Sequence, residues 1–163
     1  MSSIIIRKAV REDIPHVLRL VKELAEYEKA PDEVVVTEEI LLRDGFGPDP
    51  LFHCYVAETA DGRIPAPMVI GMALYYIKYS TWKGPCVFLE DIIVSQSERR
   101  SGIGKLLFEK VLDDTRKRGA LRMEWQVLDW NKPAMAFYEK YQPEILHEWK
   151  NFRISFPMQE KRD

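Results

Sequence analysis

Short apolar runs alternate with charged breaks along the chain, and the spacing within each run predicts its form. Residues 4–8 are β-branched and bounded by charge, which predicts a first strand. Ile14, Val17, Leu18, Val21, Leu24 and Ala25 recur at helical spacing behind Asp13, a candidate cap, and Pro15, which a first helical turn tolerates. Thr37 predicts the cap of a shorter helix through Leu42, broken at Asp44-Gly45-Phe46-Gly47-Pro48. Residues 53–59 and 68–79 read as strands on either side of an Asp61-Gly62 turn. Trp82-Lys83-Gly84-Pro85 then turns the chain into a strongly apolar strand over 86–94.

The clearest helix follows Gly104. Ile103, Leu107 and Val111 form an i, i+4 stripe with Phe108 and Leu112 beside it. Arg116, Lys117 and Arg118 suit the negative end of the helix dipole, and Gly119 supplies the stop. Residues 121–128 predict a further strand, Asn131 the cap of a helix over 132–140, and residues 149–157 closing strand material. The resulting order β-α-α-β-β-β-α-β-α-β implies an α/β class, a mixed sheet with helices on its faces. No strong composition shift interrupts residues 1–163, so a single domain is expected.

The chain has 46% hydrophobic and 31% charged residues, a globular balance. A net charge of −2 disfavours a dedicated nucleic-acid binder, and any polyanion recognised is expected to be small and local, near Arg99, Arg100 and Lys105. Cys54 and Cys86 are the only cysteines, expected as reduced core residues. With His16, His53 and His147 showing no ligand spacing, no metal site is expected. No stretch approaches a membrane span, and a cytosolic compartment is the default.

The segment Arg99-Arg100-Ser101-Gly102-Ile103-Gly104-Lys105 lies between a strand and a helix, where backbone N–H groups await an anion. Glycines at 102 and 104 let a phosphate approach the backbone closely. A helix entry with incidental glycines is the competing reading. A dinucleotide fingerprint is excluded by Leu107 at its third glycine position, and a Walker loop by the missing Gly-Lys-Ser/Thr. The remaining pattern is Arg-x-x-Gly-x-Gly, here Arg99, Gly102 and Gly104, and it resembles the signature by which the GNAT N-acetyltransferase superfamily binds acetyl-CoA.

The chain resembles the diamine acetyltransferases of that superfamily, which include the spermidine/spermine and thialysine enzymes. The resemblance is carried by Leu24-Ala25-Glu26-Tyr27-Glu28, Asp44-Gly45-Phe46-Gly47, Phe52-His53-Cys54-Tyr55-Val56-Ala57-Glu58, Tyr79-Ser80-Thr81-Trp82-Lys83-Gly84, Leu89-Glu90-Asp91, Val127-Leu128-Asp129-Trp130-Asn131 and Phe137-Tyr138. It spans residues 4–141 and weakens afterwards, where Gln142-Pro143 replaces the family's usual Gly-Ala. It implies the GNAT fold, a mostly antiparallel central sheet flanked by helices, and a homodimer.

The resemblance also implies roles. Tyr138 is the general acid, since a tyrosine of pKa about 10 can protonate a thiolate whose thiol titrates near about 8.5. Glu90 is the base. The coenzyme falls to Ile92, Ile93, Val94, the loop from Arg99 to Lys105, and Asn131 with Lys132, Pro133 and Ala134. A backbone N–H at a distorted strand end near Ile92 and Val94 meets charge on the carbonyl oxygen. A cationic amine falls to Tyr27, Glu28, Glu90 and Asp91, with Glu124, Trp125 and Gln126 on an edge strand and Glu148 beyond it. Bland alternatives stay open: Tyr138 as half-buried core, Glu90-Asp91 as a charged strand end, Asn131 as a helix cap only. Ser80-Thr81 replaces the acid and proline of spermidine/spermine enzymes, which points to a shorter, thialysine- or lysine-like amine. Polyamine acetylation, protein lysine acetylation and a non-catalytic acetyl-CoA sensor are the alternatives.

Overall fold

The computed structural model describes residues 3–60 and 68–157. The chain divides into two compact units, Met1–Gln126 and Val127–Asp163. Among the described residues the first holds five strands, β1 (Ser3–Lys8), β2 (His53–Ala60), β3 (Met68–Ser80), β4 (Gly84–Val94) and β5 (Met123–Glu124), and three α-helices, α1 (Ile14–Tyr27), α2 (Glu38–Phe46) and α3 (Ile103–Lys117). The strands lie in the order β1-β2-β3-β4-β5. The first three pairings are antiparallel and β4–β5 is parallel, as the mixed-sheet expectation requires. The expected Asp61-Gly62 turn lies outside the described residues.

The pleat sorts the side chains. Ile14, Val17, Leu18 and Leu20 of α1 and Leu41 of α2 pack with Cys54, Val56, Met72 and Ile93 on one sheet face. Tyr75, an odd number of residues from Met72, points to the other face, where its hydroxyl donates to Asp114 of α3. Both cysteines are free and buried, and burial pushes the Cys54 thiol up to about 12, which makes it a core residue and no nucleophile.

Four local expectations are corrected. Asp13 makes no side-chain cap. It accepts from Arg7 Nη1 at 2.6 Å, Arg7 Nη2 at 2.9 Å and the Val10 N–H at 2.8 Å. Burial pushes its carboxyl up, but these donors outweigh that and hold it below its ordinary value. Helix α2, capped by Thr37 as expected, continues through Asp44 and Gly45 to Phe46, and the Phe52 ring lies where a Cβ on Gly45 would stand. The strand expected over 121–128 pairs only at Met123 and Glu124, where its ladder with β4 ends. Residues 149–157 form no strand: Phe152 is 93% and Phe156 84% exposed, and alternation without a ladder partner does not hold a strand.

In the second unit, α4 (Lys132–Glu139) begins at Asn131, whose side chain accepts from the Ala134 N–H at 3.2 Å, with Pro133 in the first turn. Phe137 meets Tyr138 and Tyr141 edge-on at 5.0 and 5.8 Å, and Tyr138 is buried.

Candidate active site

The register between β3 and β4 creates the site's acidic half. Tyr75 pairs with Leu89 and Leu74 with Asp91, so Glu90 is an extra residue, a β-bulge. Asp91 therefore sits on the Leu74 face, toward the end of α1, and Glu90 is near enough to Tyr76 and Asp91 to act on both. Burial, then the charges of Glu90 and Glu28, raise the Asp91 carboxyl from 3.8 to about 6. Burial also raises Glu28, the C-cap residue of α1. Burial, together with the charge of Glu90 and a hydrogen bond to it, raises the Tyr76 hydroxyl. Among the described residues no cation forms an ion pair with Glu28, Glu90 or Asp91. Glu90 itself is exposed, whereas Asp91 and Glu28 are half-buried, and half-buried like charges beside a third carboxylate are costly unless a cation joins them.

The distortion expected near Ile92 and Val94 is corrected to Glu90. Ile92, Ile93 and Val94 pair regularly with Ala73, Met72 and Gly71. Their other edge, however, runs past the end of the β4–β5 ladder, which stops at Phe88↔Glu124.

The loop after Val94 forms the second half. Ser95 is buried, with its N–H on Ile70 O at 2.8 Å. Gly102 (φ 84°) is left-handed and leads directly into the right-handed Ile103 of α3, a pairing that gathers successive N–H groups into an anion-binding concavity, and Arg100 (φ 66°), two positions earlier, is also at positive φ. The first intrahelical bond of α3 is Leu106 N–H to Gly102 O at 3.2 Å, and the N-cap Gly102 has no side chain to cap the N–H groups before it. A Cβ on Gly102 would meet nothing within 4 Å, and one on Gly104 only Val94 Cγ2 at 3.9 Å. The protein itself thus leaves the space over both glycines open, which fits a phosphate laid against the backbone.

The other expected site residues are distributed unevenly. Arg99 folds back: its Nε donates to Val94 O at 3.0 Å, Nη2 lies 3.9 Å from Glu23 Oε1, and the guanidinium sits 5.0 Å over the Tyr27 ring. Lys105 pairs loosely with Glu109 at 3.8 Å, and Ser101 Oγ donates to Glu98 O. Glu124 is 2.7 Å from Lys78 Nζ and 3.6 Å from Arg122 Nε, so two cations of the chain already face it. Trp125 packs edge-on against Phe108 at 5.3 Å and Gln126 is exposed. Ser80 Oγ accepts from the Trp82 and Lys83 N–H groups, both at 3.2 Å, and so makes the β3–β4 turn, with Thr81 exposed on it. Asn131, Lys132, Pro133, Ala134, Tyr138 and the exposed Glu148 belong to the second unit.

Sequence reasoning missed Tyr76, Arg19 and Glu23. Arg19, Glu23 and Tyr27 lie four residues apart on α1, a polar stripe that also reads as a solvated helix face.

An open glycine cradle at a helix N-terminus suits a phosphate-bearing ligand, and comparison with known proteins gives the family. The acetyltransferase (GNAT) family model matches residues 16–142, and the chain belongs to that family of N-acetyltransferase enzymes. It is 44% identical over 159 residues to the thialysine N-epsilon-acetyltransferase of Bos taurus, with 94% of each chain covered. The spermidine/spermine N(1)-acetyltransferase-like protein 1 of Homo sapiens is 37% identical over 134 residues, 82% of this chain and 19% of that one. An aminoglycoside N-acetyltransferase solved in complex with CoA shares the fold at a TM-score of 0.68 and 22% identity, covering 98% of this chain and 96% of that chain.

Proposed function

We propose that this enzyme transfers an acetyl group from acetyl-CoA to the side-chain amine of a small cationic amino acid, thialysine or a lysine-like compound. The uncompensated cluster of Glu28, Glu90 and Asp91 carries this reading, because it supplies what an ammonium group needs. The 44% identity to a thialysine enzyme supports the acceptor's class. The match over 16–142 crosses the boundary between the two units and supports one catalytic domain.

An alkylammonium with a pKa of about 10 cannot attack until a proton leaves. Asp91 and Glu28 hold the cation, and Glu90 takes the proton from nitrogen, directly or through one water. Acetyl-CoA, when bound, supplies the thioester. The N–H groups of Gly102, Ile103, Gly104 and Lys105, with Arg100, hold its pyrophosphate, and the open edge of β4 at Ile92 and Val94 orients the acyl arm. The carbon–nitrogen bond forms as the carbon–sulfur bond breaks; by resemblance the Tyr138 hydroxyl gives its proton to sulfur, the second proton of the attacking nitrogen leaves to water as the amide forms, and water returns a proton to Tyr138. By resemblance the enzyme is a homodimer, and two buried unpaired thiols suit a reducing cytosol.

The test is thiol release from acetyl-CoA with thialysine, lysine, ornithine, putrescine, spermidine and a histone peptide. Thialysine or lysine should lead. Preference for spermidine would overturn the acceptor assignment, and no release with any amine would overturn the enzymatic reading.

A further inference from the structure

The loop after β4 is tied to α1 around one carboxylate, Glu23. Glu23 Oε1 accepts from the Gln96 N–H at 2.7 Å, and Oε2 accepts from Ser95 Oγ at 3.4 Å. Arg19 closes the arrangement, donating from Nη2 to Val69 O at 2.8 Å and from Nη1 to Ser95 Oγ at 3.2 Å, and lying 3.5 Å from Glu23. The guanidinium of Arg99 lies 3.9 Å from the same carboxylate. Beyond this fastening the loop is largely exposed and passes through two left-handed residues, Arg100 and Gly102.

A carboxylate close to a phosphate site needs a reason, since its charge opposes the ligand. Two features supply one. Arg19 and Arg99 flank it, so little net negative field reaches the loop. Its hydrogen bond to the Gln96 N–H also fixes the point where the chain leaves β4, and hence the path of the N–H groups that follow. An unfastened loop would have to be ordered by the coenzyme itself, at a cost in affinity.

We propose that Glu23 is a positioning residue for the coenzyme: it holds the β4–α3 loop in its binding form and restrains Arg99. This rests on the acetyl-CoA reading of that loop. A general structural role would depress every kinetic constant together, whereas a positioning role acts on the coenzyme alone.

The experiment compares wild type with Glu23→Ala, Glu23→Asp and Glu23→Gln by calorimetric titration of CoA, steady-state kinetics and amide exchange over residues 95–102. Glu23→Ala should weaken CoA binding and raise the acetyl-CoA KM by about tenfold, the loss expected for one charge-assisted hydrogen bond. Its kcat and acceptor KM should stay within about twofold of wild type, and the Gln96 amide should exchange faster. Glu23→Gln keeps an oxygen to accept from the Gln96 N–H and should return CoA affinity to within about threefold; Glu23→Asp should fall between and serves alone if the alanine variant does not fold. Unchanged CoA affinity in Glu23→Ala, or an equal loss in acceptor KM and kcat, would overturn the inference. Wild-type protein that binds no CoA would overturn the coenzyme reading itself.

Discussion

Asp91→Asn separates folding from function in one substitution. In the folded protein the Asp91 carboxyl is raised from 3.8 to about 6 by burial and by Glu90 and Glu28. At 1.36 kcal/mol per pH unit this difference corresponds to about 3 kcal/mol for a fully sheltered group. Asp91 is only half-buried, and solvent screening brings the figure to about 1.5 kcal/mol. The sign follows from proton linkage. A raised folded-state value means that the native protein binds more protons than the unfolded chain between pH 3.8 and about 6. Stability from this group is complete below that window and is lost as pH rises through it. At pH 7.5 Asp91→Asn should therefore be more stable than wild type by about 1.5 kcal/mol, with the advantage shrinking toward zero near pH 4. Urea unfolding at several pH values measures both. The same variant should raise the acceptor KM by about tenfold, since it removes a charge that meets the ammonium. A variant less stable than wild type at pH 7.5, or an advantage independent of pH, would refute the reasoning.

Gly104→Ala should stabilise α3 by up to about 1 kcal/mol, because the new methyl meets only Val94 Cγ2 at 3.9 Å, yet raise the acetyl-CoA KM. Thermal unfolding and kinetics on one preparation check the pair, and unchanged KM would remove the cradle. Tyr138→Phe should lower kcat by about 10²-fold with CoA affinity unchanged, read by turnover and calorimetry; collapse of CoA affinity would make Tyr138 structural. Arg7→Ala leaves the Asp13 and Glu58 carboxylates without their shared partner and should cost about 3 kcal/mol at pH 7 by urea unfolding. Asp13 is held below its ordinary value in the fold, so the stability it gives is present above pH 3.8 and lost below, and the deficit should narrow there.

The parts legible in the sequence were those set by short-range periodicity. The apolar run before the coenzyme loop, the i, i+4 stripe of α3 and the Thr37 and Asn131 caps each depend on neighbours within a few residues. The parts missed depend on a partner elsewhere. The Glu90 bulge is a property of pairing with Leu74 and Tyr75 and leaves no mark on β4 alone. Asp13 looked like a cap because Arg7, across the β1–α1 turn, could not be seen to claim its carboxylate. Glu23 carries no local signal, because its partner at Gln96 lies 73 residues later in the chain. Residues 149–157 alternate as a strand should, but alternation predicts which face a strand would bury and cannot supply the neighbour.

The proposed mechanism is direct transfer from acetyl-CoA to an amine held by Glu28, Glu90 and Asp91. Intact-mass analysis of the protein with acetyl-CoA, before and after adding thialysine, tests it most directly. Direct transfer leaves no acetyl adduct on the protein at either stage and forms one acetylated side-chain amine for each CoA released. An acetylated protein that accumulates without acceptor and discharges when thialysine is added would contradict it.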